Sequence, residues 1–115
     1  MQSVILISES QIDFDGIEKQ WKNKSTSTNN MGSRLAIELE NGRIYLDVIK
    51  DGLSEYDDGE LDNLTISSYN FCSISYSDSA VLQSFILGTL FSGRAFIDDD
   101  NGNIVPYSEF ASDLS

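Results

Sequence analysis

An alternating run of apolar and polar residues around Asn41-Gly42 constrains the fold of this chain more than any other feature. The apolar positions on either side of these two residues are Leu35, Ile37, Leu39, Ile44, Leu46 and Val48. Asparagine and glycine both tolerate positive φ, which two-residue hairpin turns require. The segment therefore predicts an antiparallel hairpin with one face packed on a core and the other in solvent.

The segments around the hairpin extend it to an α+β domain. Short runs rich in β-forming residues predict strands at residues 3–8, 68–76, 95–98 and 104–105. Helical spacing predicts helices at about 10–22, at about 79–91 and after Pro106, whereas the polar, aperiodic residues 23–33 predict a loop. Because the 79–91 segment is apolar almost all round, we expect that helix to be central and buried. The expected fold is a single domain over residues 1–115, with an antiparallel or mixed sheet of about five to six strands and two to three helices against one face.

In strand 68–76 the apolar phase slips between Phe71 and Cys72. Either a β-bulge or a strand covered on both faces accounts for such a slip.

Acidic residues dominate the second half of the chain. The net charge is −12; residues 1–50 carry six bases and seven acids, whereas residues 51–115 carry twelve acids and one base, Arg94. Such a field repels nucleic acid and anionic lipid and attracts basic partners, so we expect neither nucleic acid nor membrane as a partner. The acid could serve solubility alone, but the asymmetry favours a partner, because solubility does not require the charge to sit in one half.

Few residues of this chain suit catalysis. It lacks histidine, which removes the commonest general base and most transition-metal sites. Its single cysteine, Cys72, lies in an apolar strand pattern and predicts a buried, inert thiol. We therefore expect no enzymatic activity and no cofactor. The apolar run at residues 4–7 is too short for a signal peptide or a membrane span, and with the lone cysteine it favours a cytoplasmic location.

Residues 98–104 have the composition of an EF-hand calcium loop, but the spacing does not fit. Placing Gly102 at loop position 6 puts Ile97 at position 1 and Ser108 at position 12. Starting at Asp98 puts Glu109 at position 12, but glycine then falls at position 5. A turn that ends a strand is favoured over a metal site, and calcium binding stays an alternative.

Residues 51–62 contain six acids, two glycines and no base, which predicts an exposed loop. Carboxylates speed encounter with a basic partner, and an exposed tyrosine adds rigid contact area. The predicted partner-binding residues are Asp47, Asp51, Glu55, Tyr56, Asp57, Asp58, Glu60, Asp62, Asp98, Asp99 and Asp100. The hairpin residues Glu38 and Glu40 would extend this surface if their face adjoins it.

The C-terminal part of the chain combines an apolar helix at residues 81–91, a strand ending in an aspartate-rich turn at 96–102, and a closing helix with Ser108-Glu109-Phe110. Over about residues 69–114 this resembles small acidic immunity proteins of bacterial contact-dependent growth inhibition and related polymorphic toxin systems. The resemblance implies an inhibitor that binds one cognate basic toxin, often a nuclease, and occludes its active site. No binding residue carries over individually, since these families share no invariant motif. An acidic adaptor or structural module of a larger assembly and a small carboxylate-based enzyme or calcium-binding domain stay open as alternatives.

Overall fold

A seven-stranded sheet organises the part of the chain that the computed structural model describes, residues 1–57, 59–91, 93–99 and 103–114 without the side chains of Glu55 and Asn63. The strands are β1 (Gln2–Ser8), β2 (Ser27–Asn30), β3 (Arg34–Leu39), β4 (Gly42–Ile49), β5 (Asn70–Tyr76), β6 (Ala95–Asp98) and β7 (Ile104–Pro106). The helices are α1 (Phe14–Trp21), α2 (Ser79–Gly88) and α3 (Tyr107–Leu114). Two short 3₁₀ helices lie at Gly52–Glu55 and Asp62–Leu64. None of the helices described is long and apolar enough to cross a membrane.

The strand order is β2-β3-β4-β5-β1-β6-β7, and every neighbouring pair is antiparallel. The predicted α+β class is confirmed, and the strand count exceeds the expected five to six because residues 23–33 contain β2. Polar residues make up β2 on both faces, so no apolar alternation marks it in the sequence. Hydrogen bonds to α1 help to hold it: Thr28 Oγ1 donates to Glu18 at 2.9 Å, and Asn30 Nδ2 donates to Asp15 at 2.7 Å.

All three helices pack on one face of the sheet and enclose the main apolar core. The fully or nearly buried residues of this core are Val4, Leu6, Phe14, Ile17, Trp21, Leu35, Ile37, Ile44, Leu46, Cys72, Ile74, Tyr76, Val81, Leu82, Phe85, Ile86 and Ile97. The carboxylate of Asp78 caps α2 by accepting the amide of Val81 at 3.0 Å. The apolar α2 is central, as its composition predicts, although Leu87 and Leu90 near its C-terminal end are exposed.

Helices α1 and α2 are both shorter than their apolar spacing predicts. Helix α1 begins at Phe14 instead of about residue 10, with Asp13 as its N-cap. Helix α2 ends at Gly88, three residues before the predicted end. Thr89 has already left the helix there, and its hydroxyl accepts the indole N–H of Trp21 at 2.7 Å while donating to the carbonyl of Phe85 at 2.6 Å. This buried pair stops the helix where periodicity alone would continue it.

The predicted hairpin is confirmed, with a turn one residue earlier than expected. Leu39 pairs with Gly42, so Glu40 and Asn41 form the connection, and neither has positive φ. Gly42 is needed for a different reason: a Cβ there would lie 2.1 Å from the hydroxyl of Ser77, which accepts the amide of Arg43 at 3.0 Å. A second reason is its φ of +156°, a backbone conformation that residues with a side chain rarely adopt.

Strand β5 is covered on both faces, which explains the slip in its apolar phase. Its pairing with β1 and β4 is one-to-one through Phe71 and Cys72, so there is no bulge between them. Cys72 faces the helices, whereas Phe71 faces a second apolar cluster on the opposite side of the sheet.

Candidate protein-binding surface

The acidic segment forms a layer over the sheet face opposite the helices. Leu61, Leu64 and Ile66 are buried there against Ile7 and Phe71, and further half-buried side chains pack around them. We call residues 51–69 the acidic layer. The predicted exposure holds for the carboxylates whose side chains are described, whereas the buried Leu61, Leu64 and Ile66 fix the segment to the sheet. Burying side chains of this size contributes on the order of 1.5–3 kcal/mol each, which is enough to order an otherwise irregular segment.

Close contacts at both ends hold the acidic layer in place. At its start, Gly52 lies so near the ring of Phe71 that a Cβ would fall 2.2 Å from a ring carbon. Towards its other end, Thr65 adopts left-handed backbone (φ +53), and Arg94 Nη1 donates to its carbonyl and hydroxyl at 3.2 and 3.1 Å. Between them, a carboxylate oxygen of Glu60 accepts the amide of Asp57 at 3.1 Å.

Tyr56 joins the acidic layer to strand β6. Its ring is half-buried and stacks on Phe71, with centroids 5.6 Å apart, and its hydroxyl donates to the carboxylate of Asp98 at 2.8 Å. Tyr56, which we predicted to contact a partner, is therefore only partly exposed. Its contact brings Asp98, the last residue of β6, beside the acidic layer, although the two residues are 42 positions apart in the sequence.

The predicted site residues divide into three groups. The exposed side chains on the acidic layer are Asp51, Asp57, Glu60 and Asp62. Asp98 and Asp99 are half-buried at the end of β6, where a carboxylate oxygen of Asp99 accepts the amide of Asn103 at 3.3 Å. Asp58, Asp100 and the side chain of Glu55 lie outside the described residues.

Asp47 lies apart from these acids, and its charge is compensated by Arg34. Asp47 lies on the half of the sheet that the acidic layer leaves uncovered, and its two oxygens accept from Arg34 at 2.6 and 3.2 Å. Glu38, on the same surface, pairs with Arg43 at 3.5 Å. The hairpin surface is thus mixed in charge, and it does not extend the acidic layer as an acidic row. A turn at Asn41-Gly42, as predicted, would instead pair Arg34 with Ile49, so the pairing of Arg34 with Asp47 depends on the observed register.

Acids without a base cluster in the acidic layer and after β6, whereas the charge around α1 and on the hairpin surface is mixed. Residues 51–62 and 98–100 contain six and three acids, respectively, and no base. Lys19, Lys22 and Lys24 lie in and just after α1, in the helical layer, where Lys24 Nζ sits 4.5 Å from the ring centroid of Trp21. A basic partner would therefore meet an attractive field over the acidic layer and a less favourable one over α1.

Cys72 is buried, as its apolar setting predicts. Burial, and to a smaller extent the negative charge of Asp47, raises the pKa of its thiol to about 12. A thiol with so high a pKa is protonated at neutral pH, and this form is a poor nucleophile.

Within the described residues, no group of three or more histidine, cysteine or carboxylate side chains is arranged to hold a metal ion. The proposed calcium loop falls partly outside this range, since residues 100–102 are not described. On either side of these residues, the amide of Asp99 donates to the carbonyl of Asn103 at 3.1 Å.

Comparisons of the chain with models of protein families, with curated protein sequences and with solved structures found no match.

Proposed function

We propose that this chain is a cytoplasmic immunity protein, without catalytic activity, that binds a cognate basic toxin and neutralises it. The partner class is a nuclease, whose cationic cleft would accept carboxylates in place of phosphates. The observation that supports this most directly is the acidic layer, because residues 51–69 contain six acids and no base and pack together on one face of the sheet.

Pre-ordering of the acidic layer favours tight binding. Buried side chains and the hydrogen bond from Tyr56 to Asp98 hold its backbone in place before any partner arrives. Less conformational entropy is then lost on association than with a disordered acidic tail. The concentrated field also steers a basic partner, which raises association rates by about 10–1000-fold at low ionic strength.

The first test searches the reading frames that neighbour this gene for a candidate toxin and measures association with its toxin domain. One variant combines Asp57→Lys with Asp62→Lys, two exposed positions on the acidic layer. Its control combines Glu40→Lys with Glu109→Lys, two exposed positions outside the layer, and changes the net charge by the same amount. In stopped-flow mixing at low salt, we expect the layer variant to associate at least about tenfold more slowly, with a flatter salt dependence, because steering is lost.

The control variant should change the association rate by no more than about threefold, since it leaves the local field of the acidic layer in place. Equal slowing by both variants would mean that net charge alone acts, and would remove the acidic layer as the binding surface. Co-expression in bacteria provides the functional readout: the parent chain should restore growth in the presence of the toxin. No binding and no growth rescue would refute the proposal as a whole.

A second candidate function, an adaptor or structural module, is favoured by a different surface. Leu90 is 82% exposed and lies at a groove of about 460 Å³ whose lining includes Phe91, Phe96 and Tyr107. Exposed apolar surface of this kind can mark a self-association site. Sedimentation velocity distinguishes the two: an oligomer that Leu90→Ser converts to monomer supports the module, and a monomer at all concentrations argues against it.

A further inference from the structure

A groove runs along one edge of the acidic layer. It has a volume of about 660 Å³ and lies between the first 3₁₀ helix, the adjoining ends of β4 and β5, and the segment before α1. Its lining includes Ile12, Val48, Ile49, Leu53, Tyr69 and Phe71. A second groove, of about 380 Å³, adjoins it across Gln11 and Ile12 and continues towards the start of α1. Together they offer an extended path on the surface.

The centre of this path is apolar and partly open to solvent. Val48 and Leu53 are 42% and 57% exposed, although both line a concavity. Phe71 also lines the groove; it is buried on the face of the sheet opposite Val48, where it stacks with Tyr56 and Tyr69 at centroid distances of 5.6 and 6.4 Å. Single exposed apolar side chains are common on protein surfaces, but two that line one groove form a pocket suited to an apolar side chain.

The rim of the path is predominantly acidic. Asp51 lines the first groove, and Asp13 and Asp15 line the second. Lys50 is the single base among the residues that line either groove, so these side chains sum to a charge of −2. The path also begins at the acidic layer itself, whose carboxylates extend the negative field. An occupant with positive charge on both sides of an apolar residue matches this arrangement.

We infer that this path receives an extended segment of the protein partner, in which an apolar side chain seats between Val48 and Leu53. Lysine or arginine residues on either side of it face Asp51 and Asp13. The inference rests on the proposed function, in that the partner is a basic protein, and it adds the point at which that partner is anchored. Interfaces commonly derive most of their affinity from a few such residues, seated in pockets and surrounded by charged rims.

The test uses two blocked pentapeptides with the full chain. The first has a central tryptophan with two lysines on each side, and the second replaces the lysines with glutamates. In a titration followed by ¹H–¹⁵N correlation spectra, the lysine peptide should shift amides of residues 11–13 and 48–53. The glutamate peptide should leave them in place, because its charges are repelled by the rim.

A substitution separates groove binding from general charge attraction. Leu53→Asp removes the apolar wall and adds a carboxylate, so a purely electrostatic surface would bind the lysine peptide more tightly. An apolar pocket predicts the opposite, at least about tenfold weaker binding. The control, Leu90→Asp, adds the same charge in the groove near α3 and should change the affinity by no more than about twofold. Well-dispersed spectra of both variants establish that each is folded.

Three results would overturn the inference: unchanged or tighter binding by Leu53→Asp, shifts centred on Leu90 and Phe91, or shifts spread over every exposed carboxylate. The peptide titration requires no toxin, so its failure can be separated from failure of the proposed function. The peptide could fail to bind in the groove while the Asp57→Lys and Asp62→Lys variant still associates more slowly with the toxin. That result would refute the groove as a binding site and leave the proposed inhibitor function intact. Peptide binding in the groove without any toxin binding would support the groove as a binding site and refute the proposed inhibitor function.

Discussion

Removing the hydroxyl of Tyr56 should loosen the attachment of the acidic layer to strand β6. The substitution Tyr56→Phe keeps the ring that stacks on Phe71 and deletes the donor to Asp98, which lies 2.8 Å away. Hydrogen bonds to a charged group contribute about 1.5–3 kcal/mol. Both side chains are half-buried, and water can solvate the carboxylate after the change, so we expect a loss near the lower end, about 1.5 kcal/mol.

Tyr69→Phe is a matched control, since Tyr69 stacks on the same Phe71 ring. Its hydroxyl donates to the carbonyl of Leu61 at 3.4 Å, a long and weak hydrogen bond. We expect this variant to lose no more than about 0.5 kcal/mol. The two substitutions remove the same atom from neighbouring rings, so their difference isolates the contact to Asp98.

Urea unfolding followed by the fluorescence of Trp21 measures both variants. With a denaturant slope of about 1–1.5 kcal/mol per M for a domain of this size, Tyr56→Phe should lower the midpoint by about 1 M. A double-mutant cycle with Asp98→Ala should give a coupling energy of about 1 kcal/mol for Tyr56 and near zero for Tyr69. Equal losses for the two tyrosine variants, or no coupling to Asp98, would refute the role assigned to this hydrogen bond.

Two further predictions concern the packing around β5. Gly52→Ala should lower the free energy of unfolding by about 1–3 kcal/mol, because the new Cβ would fall 2.2 Å from the buried ring of Phe71. Its control is Gly32→Ala, where φ is +83° but no atom lies within 4 Å of the added Cβ. Thermal unfolding should show the Gly52→Ala variant to be the less stable of the two, and equal losses would contradict the steric reason. For Cys72, the raised pKa of the thiol means that the unfolded chain ionises near pH 9 while the folded chain stays protonated until about pH 12. Stability should therefore be complete below about pH 9 and fall by about 1.4 kcal/mol per pH unit above it. Urea unfolding at about pH 8–10 should show a shallower decline for Cys72→Ala, and identical slopes for the two proteins would refute this assignment.

The elements that the sequence predicted are those in which one periodicity decides the structure. The hairpin alternates strictly, and residues 95–98 form β6 as expected. Strand β2 was missed because its residues are polar on both faces, so only hydrogen bonds to β3 and α1 indicate it. The end of α2 was misplaced because the stop depends on Thr89 and Trp21, two residues far apart in the sequence.

The sequence predicts an exposed acidic segment at residues 51–62 but not how that segment packs on the sheet. Its buried residues Leu61, Leu64 and Ile66 are spaced three and then two residues apart, so no single periodicity marks them, and they lie in and around a 3₁₀ turn. Its contact with β6 depends on strand order, which places β1 between β5 and β6. No local pattern encodes that order, so the proximity of Tyr56 and Asp98 could not be read from the sequence. For the same reason the groove at Val48 and Leu53 was not anticipated.

The same carboxylates that would attract a partner should weaken the fold that presents them. Crowded like charges at a surface cost a few tenths of a kcal/mol per pair, and salt screens them over about 8–10 Å. The Asp57→Lys and Asp62→Lys variant should therefore be at least as stable as the parent chain, even though it associates more slowly. This opposition is informative, because a variant that is both stable and slow to bind has lost a surface property and not its fold. It also gives a physical reason for the buried side chains beneath the acidic layer: their burial offsets the repulsion that the exposed acids of the same segment create.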